Sequence, residues 1–382
     1  MKKFKEWIMA ALNAILIIVV ILGAEFYFLQ KYTGDAYKTI KLFKVLKIVQ
    51  DRYNGEIDKE KLFEGAMKGM VNAVGDPYTV YLDKKNFKAL SEATQGSFGG
   101  VGIVYSKRDN KYVVISAIED TPAYKAGVKG GDIILGVDGE STAKMDMEEV
   151  SNKIRGKIDT EVVLELKYKD EEPRKVRIIR KEIKNPSVSG KLLDDTQIGY
   201  IRISMFTETT GEDFKKKYQE LEAKGMKATL LDLRANPGGT LNDGVAVAGM
   251  LVPKGPIVSV TNKAGQTYTE HSKLEKVKYP LAVLVDGGTA SAAEIVSGAV
   301  KDTKAGKLFG VKTFGKGSVQ SVIYLGDGTA LKVTMAKYYT PSGVSIHKVG
   351  IEPDVVVELP QKPTFDNQLD AAKKYLLEEL KK

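Results

Sequence analysis

The chain has 382 residues, a length that predicts two or three domains at roughly 150 residues each. Hydrophobic residues make up 43% of it, so it can bury a large core and does not have the composition of a disordered chain. It has no cysteine, which excludes disulfides and a cysteine nucleophile, and its two histidines, His271 and His347, are too few for a histidine-rich metal site. Lysine and arginine exceed aspartate and glutamate by nine, but no basic block is interleaved with aromatic residues, so we expect no nucleic-acid partner.

The N-terminus has the pattern of an export signal. A short basic stretch, residues 1–5 with three lysines, precedes an uncharged run of 18 residues, 7–24, which is near the lower limit for a membrane-spanning helix. The basic flank predicts that this end stays in the cytoplasm and that the rest of the chain is exported. An uncleaved single-pass anchor and a signal peptide cut near Gly23 both fit, and the aromatic residues 26–28 favour the anchor. Cleavage would make the protein secreted.

The remaining sequence divides into four segments by its pattern of apolar residues and glycines. Residues 33–95 have helix-period apolar faces and predict a helical arm, which we expect to self-associate. Residues 96–181 alternate short apolar runs with glycine turns and predict a strand-rich module. Residues 182–360 alternate strands with helices and predict an α/β core, and residues 361–382 end the chain in a charged amphipathic helix.

Ser291 lies between a predicted buried strand, residues 281–285, and a predicted helix, residues 292–300. One interpretation is a helix N-cap, with Glu294 completing a capping box. The other is a nucleophile, because a hydroxyl at the positive end of a helix lies beside N–H groups that can stabilise an oxyanion. Ligands of α/β sheets also bind at the carboxyl ends of the strands, where Ser291 is expected.

Lys316 is the second candidate for chemistry. Residues 310–316 have the spacing of a phosphate-binding P-loop, but Gly317 replaces the hydroxyl residue that would hold magnesium, so we do not predict nucleotide binding. A lysine in a dry site loses its proton more readily and can act as a base. Ser291 and Lys316 therefore form a candidate serine–lysine dyad, and the amide of Gln320 is spaced to hydrogen-bond the amine.

A glycine turn, residues 236–239, follows another predicted strand, residues 228–232. The N–H groups of Gly238 or Gly239 could complete an oxyanion hole with the N–H group of Ala292. An ordinary strand-to-helix turn is the alternative interpretation.

Three blocks together resemble the carboxyl-terminal processing proteases, also called tail-specific proteases, of serine peptidase family S41. The blocks are LDLRANPGG at residues 231–239, GTASAAEI at 288–295 and TFGKGSVQ at 313–320. The resemblance implies that Ser291 is the nucleophile, that Lys316 is the general base and that Gln320 positions the lysine. Ala293 departs from the family, which often has a second serine there, but that serine is not the family's nucleophile.

Residues 96–103 and 121–134 resemble a PDZ domain, a module that takes a free C-terminal peptide as an added strand. The resemblance implies that backbone N–H groups of the glycine-rich loop bind the terminal carboxylate. The residues of this loop are Phe98, Gly99, Gly100, Val101, Gly102 and Ile103. In relatives, an arginine of the PDZ domain contacts the active-site region when a substrate docks, and Arg155 is the candidate here.

The resemblance therefore implies a multidomain α+β protein. Its predicted parts are a membrane anchor or signal (1–32), a helical arm (33–95), a PDZ domain (96–181), a peptidase core (182–360) and a C-terminal helix (361–382). The implied function is a serine endopeptidase that recognises apolar C-terminal tails of extracytoplasmic proteins and cleaves them, in processing, regulated proteolysis or signalling. We expect no metal or cofactor. We expect the chain to form a homodimer or a higher homo-oligomer. The alternative is a catalytically inactive, membrane-anchored PDZ adaptor.

Overall fold

The computed structural model describes residues 2–358 and 365–382. The chain forms two compact units, Met1–Ala73 and Val74–Lys382. The predicted boundary between the core and the C-terminal helix, at residues 360 and 361, lies outside the described residues, as does Met1 of the basic end.

Helices and strands are numbered in chain order. The helices are α1 (Lys2–Thr33), α2 (Ala36–Arg52), α3 (Lys59–Asn72), α4 (Lys84–Gln95), α5 (Pro122–Lys125), α6 (Met147–Ile154), α7 (Thr210–Ala223), α8 (Leu241–Leu251), α9 (Ala292–Asp302) and α10 (Asn367–Glu379). The strands are β1 (Val80–Leu82), β2 (Ser97–Gly100), β3 (Ile103–Arg108), β4 (Lys111–Ala117), β5 (Asp132–Val137), β6 (Glu140–Ser141), β7 (Glu161–Tyr168), β8 (Arg174–Ile179), β9 (Lys181–Lys184), β10 (Val188–Leu192), β11 (Ile198–Ile203), β12 (Ala228–Asp232), β13 (Gly255–Asn262), β14 (Thr267–Ser272), β15 (Leu281–Val285), β16 (Lys307–Gly310), β17 (Ser318–Tyr324), β18 (Ala330–Tyr339) and β19 (Val355–Val356).

The first unit contains α1, α2 and α3. Within α1, the segment Trp7–Thr33 has 27 residues and a mean hydropathy of 2.6, so it is long and apolar enough for a membrane span or a signal anchor. The helices α2 and α3 each begin after an aspartate, Asp35 and Asp58, whose carboxylate accepts a backbone N–H of the first turn. Several apolar side chains of α2 are exposed. They are Ile40, Leu42, Phe43, Val45 and Ile48.

A strand-rich module follows in the second unit. Its sheet has the order β3-β4-β5-β7-β8, with β6 paired to β5. Its core is apolar and includes the buried side chains of Tyr112, Ile134 and Leu164, against which Val150 of α6 packs. The short strands β2 and β9 pair antiparallel, so the two ends of the module lie side by side.

The α/β core is built on a six-stranded sheet with the order β10-β11-β12-β15-β16-β19. All its pairs are parallel except β10 with β11. The central strands β12 and β15 are buried along their whole length, as expected of parallel strands covered on both faces. One face packs against α7, α8 and α9, and the other packs against α10.

Because β12 and β15 are parallel neighbours, the turns that follow them lie at the same edge of the sheet. The N–H of Ala290 donates to the carbonyl of Asn236 at 2.9 Å, and the N–H of Ala235 donates to Oδ1 of Asp286 at 2.8 Å. This edge brings the glycine turn and Ser291 together.

A second sheet lies beside the core, with the order β1-β18-β13-β14 and with β17 paired to β18. The prediction that residues 33–95 are helical is wrong at Val80–Leu82, which form β1 and pair with Ala330, Leu331 and Lys332 of β18. A strand is favoured there because Val80, Tyr81 and Leu82 gain a ladder of hydrogen bonds from a longer strand. The elements predicted at residues 228–232, 281–285 and 292–300 are confirmed as β12, β15 and α9, each within two residues.

Candidate active site

The backbone of Ser291 is strained. Its φ is 55° and its ψ is −118°, a conformation that a residue with a side chain rarely adopts. Such strain persists where surrounding contacts hold it, and it is common at functional turns between a strand and a helix. The turn places Ser291 at the N-terminus of α9, where the helix dipole favours negative charge.

The Ser291 hydroxyl is not used as a helix cap. The N–H of Glu294 donates to the backbone carbonyl of Ser291 at 2.8 Å, and the Ser291 side chain makes no N-cap hydrogen bond in the described structure. Glu294 does provide its half of the capping box, because its Oε2 accepts the N–H of Ser291 at 2.9 Å. The hydroxyl therefore stays available for chemistry.

The carboxylate of Glu294 joins the two segments that carry Ser291 and Lys316. The residue is fully buried. Besides the Ser291 N–H, it accepts the Lys316 N–H at 2.8 Å, the Gly315 N–H at 2.7 Å and the Thr313 hydroxyl at 2.6 Å. Four donors to one carboxylate satisfy its buried oxygens and fix the turn before α9 against the loop before β17.

Tyr338 of β18 makes a second link between the same segments. Its hydroxyl lies 3.0 Å from the backbone oxygen of Ser291 and 2.6 Å from that of Lys316, and it can donate to both. Burial raises the pKa of Tyr338 well above its ordinary value, so its proton is retained for these bonds.

The amine of Lys316 is partly buried. Its Nζ lies over the ring of Tyr78, 5.1 Å from the ring centroid. Burial lowers the pKa of Lys316 and the nearby Lys332 lowers it further, while Glu294 and Asp76 act in the opposite direction. At a given pH, a larger fraction of Lys316 is therefore neutral than of an exposed lysine.

The glycine turn approaches Ser291 closely. A Cβ placed on Gly238 would lie 2.6 Å from Cβ of Ser291 and 2.9 Å from N of Ala292, so only glycine fits. The N–H of Gly238 donates to Oδ1 of Asn236 at 2.9 Å. Within the described part of the chain, the N–H groups of Gly239 and Ala292 form no hydrogen bond.

One cavity of about 420 Å³ collects the residues predicted for the core site. Its lining includes Ser291, Ala292, Lys316, Gln320, Gly238 and Gly239. Nε2 of Gln320 donates to Oγ of Ser318 at 2.9 Å and lies 3.4 Å from Oγ1 of Thr334, so the expected bond between this amide and the Lys316 amine is not formed here. Likewise, no hydrogen bond joins Oγ of Ser291 to Nζ of Lys316 in the described structure.

Family models match three parts of the chain. One described as peptidase family S41 matches residues 197–357, and one described as a PDZ domain matches residues 113–167. A third, described as the N-terminal domain of the activating protease CtpB, matches residues 29–86.

Curated relatives extend the similarity over most of the chain. The carboxy-terminal processing protease CtpB of Bacillus subtilis is 38% identical over 325 residues, which cover 84% of this chain and 68% of that protein. The carboxy-terminal processing protease CtpA of the same species is 38% identical over 345 residues, covering 90% and 73%. The chain belongs to the carboxy-terminal processing proteases of peptidase family S41. It is thus a serine peptidase with a PDZ domain.

A solved structure agrees at the level of the fold. The crystal structure assigned to an S41 protease of Bacteroides fragilis has a TM-score of 0.51 at 16% identity, over 85% of this chain and 92% of that one.

The glycine-rich loop that was predicted to bind a carboxylate has two backbone donors without a partner among the described residues. Phe98, Gly99 and Gly100 belong to β2, while Val101 and Gly102 lie between β2 and β3, which begins at Ile103. The N–H groups of Val101 and Gly102 form no hydrogen bond with any part of the chain that the structure describes. Gly102 has a φ of 83°, and successive N–H groups in such a turn form a concavity suited to an anion.

Arg155 lies beside this loop and not in the core cavity. Its guanidinium carbon is 4.0 Å from the centroid of the Phe98 ring, and its Nη1 is 3.3 Å from Oε2 of Glu92 on α4. On the same helix, Ala93 and Thr94 line the core cavity. A single helix therefore contacts the PDZ arginine and the cavity that contains Ser291.

Sequence reasoning missed several residues of the core site, namely Tyr78, Asp76, Lys332 and Tyr338, and it gave Glu294 only a capping role. The spacing of Glu294 behind Ser291 was a usable signal, because a buried acid at that position needs partners from another segment. Tyr78 and Tyr338 gave no local signal, since their place at the site depends on the pairing of β1 and β18.

We expect Glu294→Gln to lower the free energy of unfolding by about 2–4 kcal/mol, because the amide NH₂ would face N–H or O–H donors and leave them without an acceptor. Thermal or urea unfolding measures this. Glu352→Gln is the matched control, since the Glu352 carboxylate is exposed and pairs with Lys312 at the surface. Equal stability of the two variants would contradict the role given to Glu294.

Proposed function

We propose that this protease cleaves peptide bonds with a dyad in which Ser291 is the nucleophile and Lys316 the general base. The observation that carries the proposal is the position of Ser291: a strained turn at a helix N-terminus, with an unengaged hydroxyl, in the same cavity as a partly buried amine. No other hydroxyl among the described residues combines these features with a neighbouring lysine of lowered pKa.

In the proposed reaction, the neutral amine of Lys316 takes the proton of the Ser291 hydroxyl as Oγ attacks the substrate carbonyl carbon. The tetrahedral intermediate collapses when the C–N bond breaks, and the lysine gives its proton to the leaving amine. Water then hydrolyses the acyl-enzyme, with Lys316 again acting as the base. Burial of the amine supports this role, because it keeps part of the lysine in the neutral form.

The oxyanion of that intermediate needs N–H donors that are free in the resting protein. The N–H groups of Ala292 and Gly239 meet this requirement, whereas that of Gly238 is held by Asn236. We therefore assign the oxyanion hole to Ala292 and Gly239, with Gly238 allowing the close approach of the turn.

Catalysis requires Nζ of Lys316 to come within hydrogen-bond reach of Oγ, a contact that tightens in many enzymes only when substrate is bound. The amide oxygen of Gln320 would then accept an N–H of the amine, which leaves the amine lone pair free to take the Ser291 proton. Substrate binding would then activate the protease by bringing Lys316 and Gln320 into this arrangement. Arg155 would report the docked tail through Glu92 on α4.

We further propose that the PDZ domain binds the free C-terminus of an apolar tail. The unused N–H groups of Val101 and Gly102 support capture of a carboxylate. The segment Trp7–Thr33 supports a membrane-anchored enzyme with its catalytic part outside the cytoplasm. The exposed apolar side chains of α2 support self-association of the N-terminal arm. The proposal keeps the predicted boundaries of the helical arm (33–95), the PDZ domain (96–181) and the peptidase core (182–360).

Ser291→Ala and Lys316→Ala should each reduce cleavage of a protein with an apolar C-terminal tail by about 10³-fold or more, because either change removes the dyad. Product formation is followed by mass spectrometry. Lys312→Ala is the control, since this lysine is exposed and pairs with Glu352. Full activity of either dyad variant would refute the assignment, and an inactive parent that still binds tails would favour the PDZ adaptor.

Activity of the parent should rise with pH as Lys316 loses its proton, with the rise at lower pH than for an ordinary lysine because burial lowers the pKa. Lys332→Met removes a like charge, so the ammonium of Lys316 becomes more stable and kcat/KM at pH 7 falls about two- to fivefold. Lys337→Met, an exposed lysine on the same strand, should have no effect. A gain of activity in Lys332→Met would contradict this sign.

Amidation of the substrate's C-terminus should lower kcat/KM about 10- to 100-fold, because the PDZ loop loses its charge-assisted hydrogen bonds to the carboxylate. Rates are compared for free-acid and amide forms of one substrate. Acetylation of the substrate's N-terminus is the control and should leave the rate unchanged. Equal rates for acid and amide would exclude carboxylate recognition.

A further inference from the structure

The turn before β1 brings an aromatic ring to the amine of Lys316 although it lies far from that lysine in the sequence. Residues 75–79 have the sequence GDPYT and precede β1. The Tyr78 ring lies against Nζ of Lys316, with 5.1 Å between Nζ and the ring centroid. The turn therefore covers one side of the amine.

Hydrogen bonds hold this turn in place. Oδ1 of Asp76 accepts the N–H of Tyr78 at 3.2 Å, and Oδ2 accepts the hydroxyl of Thr79 at 2.6 Å. The hydroxyl oxygen of the buried Thr79 accepts in turn the N–H of Thr334 on β18 at 3.1 Å. Because Val80 pairs with Lys332, the ladder between β1 and β18 continues this attachment.

Charged groups from several elements face the amine of Lys316. They are Lys332 on β18, Glu294 on α9 and Asp76 in the turn. The Asp76 carboxylate also interacts with His347. Tyr338 is nearby but keeps its proton, because burial raises the pKa of its phenol. Of the groups on the turn itself, Tyr78 excludes water from the amine and Asp76 favours its charged form.

We propose that Tyr78 and Asp76 are positioning residues, which hold the amine of Lys316 in the cavity and balance its two protonation states. The proposal rests on the function proposed for Lys316. It adds that the base is completed by a segment that precedes the PDZ domain in the chain.

The two residues should act in opposite directions. A ring face replaces only part of the hydration that an ammonium loses, so removing Tyr78 admits water and stabilises the charged form. Removing the negative charge of Asp76 destabilises the charged form. If both substitutions only loosened the turn, both would admit water, and both would lower the neutral fraction of Lys316.

Competitive acetylation tests this on the full chain carrying Ser291→Ala, so that turnover plays no part. The acetylation rate of Lys316 at pH 7, divided by its rate at the alkaline plateau, reports the neutral fraction and cancels differences in access. Lys312 in the same chain is the exposed reference. Peptide mass spectrometry resolves the two lysines.

We expect Tyr78→Ala to lower this ratio about two- to fivefold and Asp76→Asn to raise it by a similar factor. Tyr78→Phe keeps the ring and should match the parent within about 1.5-fold. Changes of the same sign in Tyr78→Ala and Asp76→Asn, or no change in either, would overturn the proposal. If Tyr78→Ala does not fold, Asp76→Asn and Tyr78→Phe still decide it.

The same substitutions in the active enzyme separate this proposal from the proposed function. The acidic limb of kcat/KM should move to higher pH in Tyr78→Ala and to lower pH in Asp76→Asn. If the acetylation ratios change as expected but the limb does not move, the positioning role holds and Lys316 is not the base.

Discussion

Four hydrogen bonds to one buried carboxylate hold the core site together. Glu294 accepts from Ser291, Thr313, Gly315 and Lys316, which belong to two segments of the chain. A buried charge is tolerated only when its hydrogen bonds are complete, so the carboxylate and the two segments stabilise one another. These contacts stabilise the strained backbone of Ser291, because Glu294 holds the turn from the helix side and Tyr338 holds it from the sheet side.

Strand β18 organises the other side of the site. Its pairing with β1 brings Tyr78 to Lys316, its Thr334 contacts Gln320, and its Tyr338 contacts the backbone of both residues of the proposed dyad. The register of this strand decides which face each of these side chains occupies, since a slip of one residue would reverse them all. The geometry of the site therefore depends on a second sheet that carries neither of the proposed catalytic residues.

The sequence was informative where function depends on local pattern. A buried apolar run, a glycine turn and a helix start predicted β15, Ser291 and α9, and the glycine turn after β12 was predicted in the same way. Contacts between distant segments were not predictable, because no periodicity links Tyr78 or Tyr338 to residues near 291 and 316. The strand Val80–Leu82 was missed for the same reason: three residues within helical surroundings become a strand only through β18. The capping box accounted for Glu294 locally, so its contacts with residues 313–316 were not predicted.

The pairing of β2 with β9 has a consequence for the architecture of these enzymes. Ser97 lies opposite Lys184, and the N–H of Asn185 donates to the carbonyl of Gly96 at 2.9 Å, so the chain enters and leaves the strand-rich module through adjacent strands. Adjacent strands are about 5 Å apart, a gap that a short loop can close. An insertion of this kind can be exchanged between relatives or lost without cutting the sheet that carries the peptidase site. Peptide binding by the PDZ domain and cleavage by the peptidase core can thus evolve at different rates within one chain.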